Sequence, residues 1–237
     1  MKRTSLIILF VLASSFVMNL NAQQFNNPSN SFSQKKPAYF TMKDGSTVEA
    51  TISRLSYTKA QIDELVVKNS EGEKVKIVPE EINFMYLPQS AVEKMNQAND
   101  LLNDAKRWKS NTLDNEKIEK GYVYFESTDV VIGKKTNTLL MQVLNPGFCS
   151  KVKVYFDPYA TETASVGIGG VKLAGGDAKL YYFKKGSEAA YKLAKRDYKK
   201  EFSEIWSDCP ALVEKYGNDP KWLDLPLHIV EYSELMK

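Results

Sequence analysis

Cysteine and histidine supply many of the nucleophiles, bases and soft metal ligands that proteins use. This chain carries two cysteines and one histidine. Cys209 stands before Pro210 in SDCPALVEKYG, residues 207–217, where a helix is predicted to begin. A helix N-terminus stabilises a thiolate, so the position invites a reactive-thiol reading. Redox centres of that kind usually carry Cys-x-x-Cys, and cysteine hydrolases need a histidine base. Cys209 has no second cysteine at that spacing, and the single histidine, His228, lies between Leu227 and Ile229 close to the chain end. A catalytic thiol is disfavoured on both counts. Two structural readings stay open for the thiols. One is a disulfide between Cys149 and Cys209, closing 60 positions and stabilising by about 4 kcal/mol in the chain-entropy account. The other is a pair of buried, unbonded side chains. His228 reads as structural, because zinc sites and Ser-His-Asp hydrolysis need more partners than one histidine provides. No catalytic, cofactor-binding or metal-ligating residue is assigned.

The remaining chemical candidates weaken once spacing is considered. The glycines of GIGGVKLAGGDAKL, residues 167–180, fit neither G-x-G-x-x-G nor G-x-x-x-x-G-K-[ST]. Strands are predicted around them, so a loop and hairpin is expected in place of a phosphate cradle. The basic run Lys192–Lys200, KLAKRDYKK, could meet an anionic membrane surface. Glu188, Asp197 and Glu201 dilute its field, and the solvated side of an amphipathic helix is the favoured reading. Carboxylates suited to glycosidase work are numerous, but only their separation in space would carry meaning. Trp108, Trp206 and Trp222 could stack on sugars, though two of them fall at predicted helix ends, where they would close a core.

Where the chain goes follows from its first residues. Lys2 and Arg3 precede an apolar run from Leu6 to Leu20, about 15 residues long, short of the ~20 a permanent membrane helix needs. Ala22 offers the small residue a signal peptidase requires, so a cleaved secretory signal, residues 1–22, is expected. With no cysteine at the cleavage site, a lipoprotein anchor has no acceptor, and the destination is periplasmic or extracellular. No later apolar stretch is long enough to span a membrane. Removing Lys2 and Arg3 lowers the formal charge from +3 to +1. Nucleic acid is thereby excluded as a partner, since phosphates reward a marked basic excess. Residues 23–36, QQFNNPSNSFSQKK, are polar and predict a flexible leader.

From Ala38 short β-like runs alternate with turns: AYFTM, TVEATISRL, ELVVKN, KVKIVP and NFMYLP, with Asp44-Gly45 and Glu71-Gly72 as hairpin turns. A helical turn is expected at Pro79–Ile82 before the last run. Five strands within residues 37–89 resemble a small SH3-like or Sm-like barrel, a module that commonly serves as an adaptor. Ser90 and Glu93 form a capping box, so a connecting helix should run to Trp108, and residues 90–118 read as helix and linker. Residues 119–186 return to strands. In KVKVYF, Lys151, Lys153 and Tyr155 should face solvent while Val152, Val154 and Phe156 face the core. Residues 187–237 are expected to be helical, with Ser187 as a cap and Tyr191, Ala194, Tyr198, Phe202 and Ile205 on one stripe. Asp208, Gly217 and either Pro220 or Pro226 would bound two further helices. The fold class is therefore α+β: a small β module, a connecting helix, then an antiparallel sheet with C-terminal helices.

The segments LLMQVLNPG and VKVYFDP, the strand YYFKKG and the ending DYKKEFSEIWSDCPALVEKYGN with IVEY resemble a group of exported envelope proteins common in Bacteroidetes. The resemblance covers roughly residues 120–237 and implies an α+β envelope protein, with no activity and no catalytic residues to carry over. In that group the helix-start cysteine recurs without a mate at the GFCSK position. The function expected is non-enzymatic binding, as an adaptor for another envelope protein. A carboxylate-dependent hydrolase acting on glycan or peptide is the alternative.

Overall fold

The computed structural model describes residues 24–91, 112–159 and 179–237. The expected signal sequence, the expected helix from the Ser90–Glu93 cap to Trp108 beyond Ala91, and residues 167–178 of the glycine-rich stretch lie outside the described residues. The fold is α+β, with a large antiparallel sheet and C-terminal helices.

Seven strands form the large sheet: β1 (Pro37–Met42), β2 (Thr47–Thr58), β3 (Gln61–Lys68), β4 (Lys74–Ile77), β5 (Ile82–Pro88), β6 (Tyr122–Ile132) and β7 (Lys135–Gln142). Their spatial order is β4-β3-β2-β1-β5-β6-β7, and every ladder is antiparallel. The Asp44-Gly45 turn forms as its residues dictate: Gly45 takes a φ of +88°, and the Asp44 carboxylate accepts from the Ser46 amide at 2.8 Å. A 3-10 turn at Pro79–Glu81 leads into β5. Among the described residues the five N-terminal strands form no closed barrel: β5 pairs with β1 on one side and with β6 on the other, and β4 is a sheet edge.

Period-two alternation sorts this sheet into two faces. Ala38 and Phe40, Met85 and Leu87, and Val123 and Phe125 point into one buried cluster together with Ile52, Leu65 and Val67. The sheet curls around it far enough that Gln61 of β3 donates to the Met141 sulfur of β7 at 3.9 Å. The opposite face carries Tyr39, Phe84, Tyr86, Tyr122, Tyr124 and Glu126.

A second sheet, β8 (Val152–Tyr155), β9 (Leu180–Lys185) and β10 (Tyr191–Ala194), is ordered β10-β9-β8. It hangs from the first at two corners. The Ala190 amide donates to Asp129 O while the Val131 amide donates to Ala190 O, both at 2.7 Å, and the Leu144 amide donates to Val154 O at 2.8 Å. Tyr155 is fully buried and Lys153 largely covered, so the face expected to be solvated instead packs on β6. Period two was right about which residues share a face, but the small sheet has cover on both sides. Its far face, Val152, Val154, Tyr181, Phe183 and Leu193, packs under the helices.

Two helical expectations are corrected. Tyr191–Ala194 forms β10, folded back on β9 through the positive-φ turn at Gly186, so the helix starts at Lys195 and not near Ser187. The linker ahead of β6 contains a short helix, α1 (Asn115–Glu119), capped by Asp114. The C-terminal helices are α2 (Lys195–Ile205), α3 (Pro210–Tyr216) and α4 (Leu225–Leu235). Tyr198, Phe202 and Ile205 form the buried stripe of α2, and Pro226 opens α4. Cys209, not Asp208, occupies the N-cap of α3; the Asp208 carboxylate instead accepts from Lys185 Nζ at 2.5 Å and from the Tyr232 hydroxyl at 2.7 Å.

The expected leader is also corrected. Residues 24–36 form a strap across both cores. Phe25 is buried, 6.0 Å from the Phe148 ring and 5.0 Å from that of Tyr181. Phe32 meets Phe125 edge-on at 6.0 Å. Between them the Gln89 side chain donates to the Ser29 hydroxyl at 2.8 Å, and the Ser33 amide donates to Pro88 O at 2.7 Å. These two aromatic anchors outweigh the polar composition, because a fully buried phenylalanine such as Phe25 contributes about 1.5–3 kcal/mol and the half-buried Phe32 adds a smaller share. Among the described residues no helix is long and apolar enough to cross a membrane.

Candidate binding site

The outward face of β1, β5 and β6 holds more aromatic surface than a solvated face would. Cross-strand register aligns Glu49 of β2, Tyr39 of β1, Tyr86 of β5 and Tyr124 of β6 in one row. The next row brings Thr47, Thr41, Phe84 and Glu126 together. The rings contact one another, with centroids 5.1 Å apart for Tyr86–Tyr124, 5.9 Å for Phe84–Tyr124 and 5.7 Å for Tyr39–Tyr122. Helix α1 lies along this face. Asp114 caps it by accepting from the Lys117 amide at 3.1 Å, while the Asp114 amide donates to the Tyr86 hydroxyl at 2.9 Å. The Lys117 ammonium pairs with the Asp114 carboxylate. It also sits 4.5 Å from the centroid of the Tyr39 ring and 5.6 Å from that of Tyr86, within cation–π range.

These elements enclose an open groove of about 450 Å³, with Tyr39, Phe84 and Tyr86 on its floor and Thr47, Glu49, Thr112, Asp114 and Lys117 around its rim. That volume falls in the range of small-molecule sites. The hydrogen bond from Lys117 holds the Asp114 carboxyl below the usual carboxylate range. Burial pushes the Tyr86 phenol up, so both groups keep their ordinary charge at neutral pH. Asp114 is thus a fixed anion committed to Lys117, the opposite of the neutral, raised-pKa carboxyl that a glycosidase uses as its acid.

A second polar cluster lies deeper, where β6 meets the small sheet. Glu126 is 9% exposed. It accepts from Tyr155 Oη at 2.5 Å, Lys153 Nζ at 2.6 Å and Tyr124 Oη at 3.2 Å. Desolvation, joined by the Glu126 charge, pushes both phenols well above their ordinary range. Nearby Lys184 Nζ donates to the buried Thr128 hydroxyl at 2.8 Å. Three donors converge on the Glu126 carboxylate, which is how a buried charge is held, and they occupy most of the lone pairs a substrate would need.

The residues singled out by type fall elsewhere. Cys149 and Cys209 are both buried thiols with no disulfide between them. They belong to different clusters: Cys149 packs with Tyr86, Tyr124 and Tyr155 between the sheets, and Cys209 with Trp206, Phe202 and Leu212 beneath the helices. The Cys149 thiol donates to Pro146 O at 3.4 Å. His228 is fully buried, with Nδ1 2.6 Å from the Tyr198 hydroxyl and Nε2 without a partner, among the rings of Tyr198, Phe202 and Tyr216. Burial pushes its pKa down to about 4. No group of three or more metal-ligating side chains occurs among the described residues. Trp206 and Trp222 are buried in the helical core, and Trp108 lies outside the described residues. The run Lys192–Lys200 spans β10 and the outer side of α2, where Lys199 pairs with Asp219 at 2.6 Å.

Residue type alone did not point to the groove. The available signal was the alternation in AYFTM, NFMYLP and GYVYFEST, whose outward positions carry Tyr39, Phe84, Tyr86, Tyr122 and Tyr124. An aromatic outward face in three consecutive paired strands is a covered or binding face. Compared with known proteins, the chain matches no protein-family model, no curated protein and no solved structure.

Proposed function

We propose that this protein is exported with its first 22 residues removed and works in the periplasm or outside the cell as a non-enzymatic binding module, in keeping with the envelope group its sequence resembles. The carrying observation is the aromatic-floored groove over β1 and β5, open to solvent, with Asp114 and Lys117 paired at its rim beside Glu49. The order β4-β3-β2-β1-β5, with a 3-10 turn entering β5, supports reading residues 37–89 as an SH3-like unit opened so that β6 extends it. Hydrolysis finds less support, since Asp114 on the groove rim and the deeper Glu126 are each engaged by a lysine, which leaves Glu49 without a second uncommitted carboxylate beside it in the groove lining.

A photo-crosslinking side chain at Thr47, exposed on the groove rim, should capture ligand in intact cells. The same group at Glu73, exposed in the β3–β4 turn, should not. Equal capture at both positions would overturn the reading. So would hydrolytic turnover of a glycan or peptide that disappears in Glu49→Gln or Glu126→Gln.

A further inference from the structure

We propose that the ligand of this groove is a neutral saccharide; the inference rests on the binding reading above and adds the chemical class. The floor sets one half of the requirement. Tyr39 and Phe84 are half-buried, with ring surface left over for a ligand, and they come from adjacent strands. Strands lie about 4.8 Å apart, so the rings form a stepped apolar platform. The C–H face of a pyranose is apolar and flat enough to lie on such rings, while its hydroxyls point sideways to the rim.

The rim sets the other half. Glu49 and Asp114 bring two negative charges and Lys117 one positive charge to a single groove. A cationic ligand would meet the Lys117 ammonium already over the Tyr39 and Tyr86 rings. An anionic ligand would meet two carboxylates. A purely apolar side chain would strip water from carboxylate, ammonium and threonine hydroxyls and give nothing back, which is costly for each group left unpaired. An uncharged polyol escapes all three penalties. Its hydroxyls donate to Glu49 and Asp114 and accept from Lys117, and Thr47 at the rim can do either. The groove is open at the surface, so a unit within a longer chain fits as well as a free sugar.

The test is calorimetric titration of the protein with chitotetraose, maltohexaose and laminarihexaose, with oligogalacturonate and hexalysine as charged controls. Saturable binding of at least one neutral oligosaccharide is expected, insensitive to added salt, and weakened about tenfold or more in Tyr39→Ala, Phe84→Ala and Glu49→Gln. Urea midpoints establish that each variant is folded. Glu49→Gln, at an exposed strand position, preserves the test if an aromatic substitution disrupts the sheet. Absence of saturable binding to all three neutral oligosaccharides would overturn the inference, as would affinity unchanged in the three variants. Tight, groove-dependent binding of hexalysine would overturn the saccharide class, and of oligogalacturonate the neutral charge assigned to it, while either would leave the binding reading intact. Failure of Thr47 to capture anything in cells would overturn that reading itself.

Discussion

Lowering the pH from 7 to 5 should destabilise this protein through one side chain. His228 is the only histidine in the chain, so within the described residues no other imidazole contributes to that window. Its ring is enclosed by Tyr198, Phe202 and Tyr216, and burial pushes its pKa from 6.5 down to about 4. Asp224 and Glu231 face it and favour its charge, and Lys215 opposes it; desolvation outweighs all three. The sign follows from proton counting. Between pH 6.5 and 4 the unfolded chain binds a proton that the folded chain refuses, so stability is complete above pH 6.5 and falls as the pH drops toward 4. Over pH 7 to 5 the loss is about 2 kcal/mol. For a chain of this size that corresponds to a fall in Tm of roughly 4–8 °C. Urea unfolding of untagged protein at half-unit pH steps measures it. His228→Phe keeps a ring in the box and should flatten the profile over that range, whatever it does to the absolute stability. A flat wild-type profile, or an undiminished slope in His228→Phe, would show that the imidazole is solvated or that another group carries the dependence.

Three further outcomes follow from the packing. Lys153→Met should cost about 2–4 kcal/mol by leaving the Glu126 carboxylate buried without its cation, and adding Glu126→Gln should recover part of that; a double-mutant cycle with no coupling would contradict the 2.6 Å contact. Phe25→Ala should destabilise by about 3–5 kcal/mol, as for a core phenylalanine, and a loss under about 0.5 kcal/mol, typical of surface positions, would show that the strap is not docked. Neither thiol should react with a disulfide reagent in the folded protein and both should react in urea, with thermal stability unchanged by dithiothreitol, because Cys149 and Cys209 are buried and not disulfide-bonded. A drop in Tm on reduction would restore the bridge.

Local patterns were legible where the neighbours along the chain decide conformation. Asp44-Gly45 and Glu71-Gly72 are turns because they supply a glycine that accepts positive φ, and Gly45 and Gly72 have φ of +88° and +84°. The five strands from β1 to β5, the 3-10 turn at Pro79 and the buried stripe of α2 follow from period and punctuation. Misreadings occurred where a partner distant in sequence overrules local composition. QQFNNPSNSFSQKK looks solvated until Phe148, Tyr181 and Phe125 supply sockets for its two phenylalanines. YKLA has helical spacing, yet β9 offers it a ladder.

The chain by itself determined which residues share a face, since that depends only on the backbone repeat of strand or helix. Tertiary structure alone decided what each face meets. Lys153 and Tyr155 were always on one side of β8, but only the approach of β6 turns that side into a cover for Glu126. Tyr39, Phe84 and Tyr86 were always outward, but only the register of β1 against β5, and the placement of α1 beside them, gathers them into one groove. Faces are set by local geometry, whereas the pairing of faces depends on contacts between segments tens of residues apart, which no short window of sequence contains.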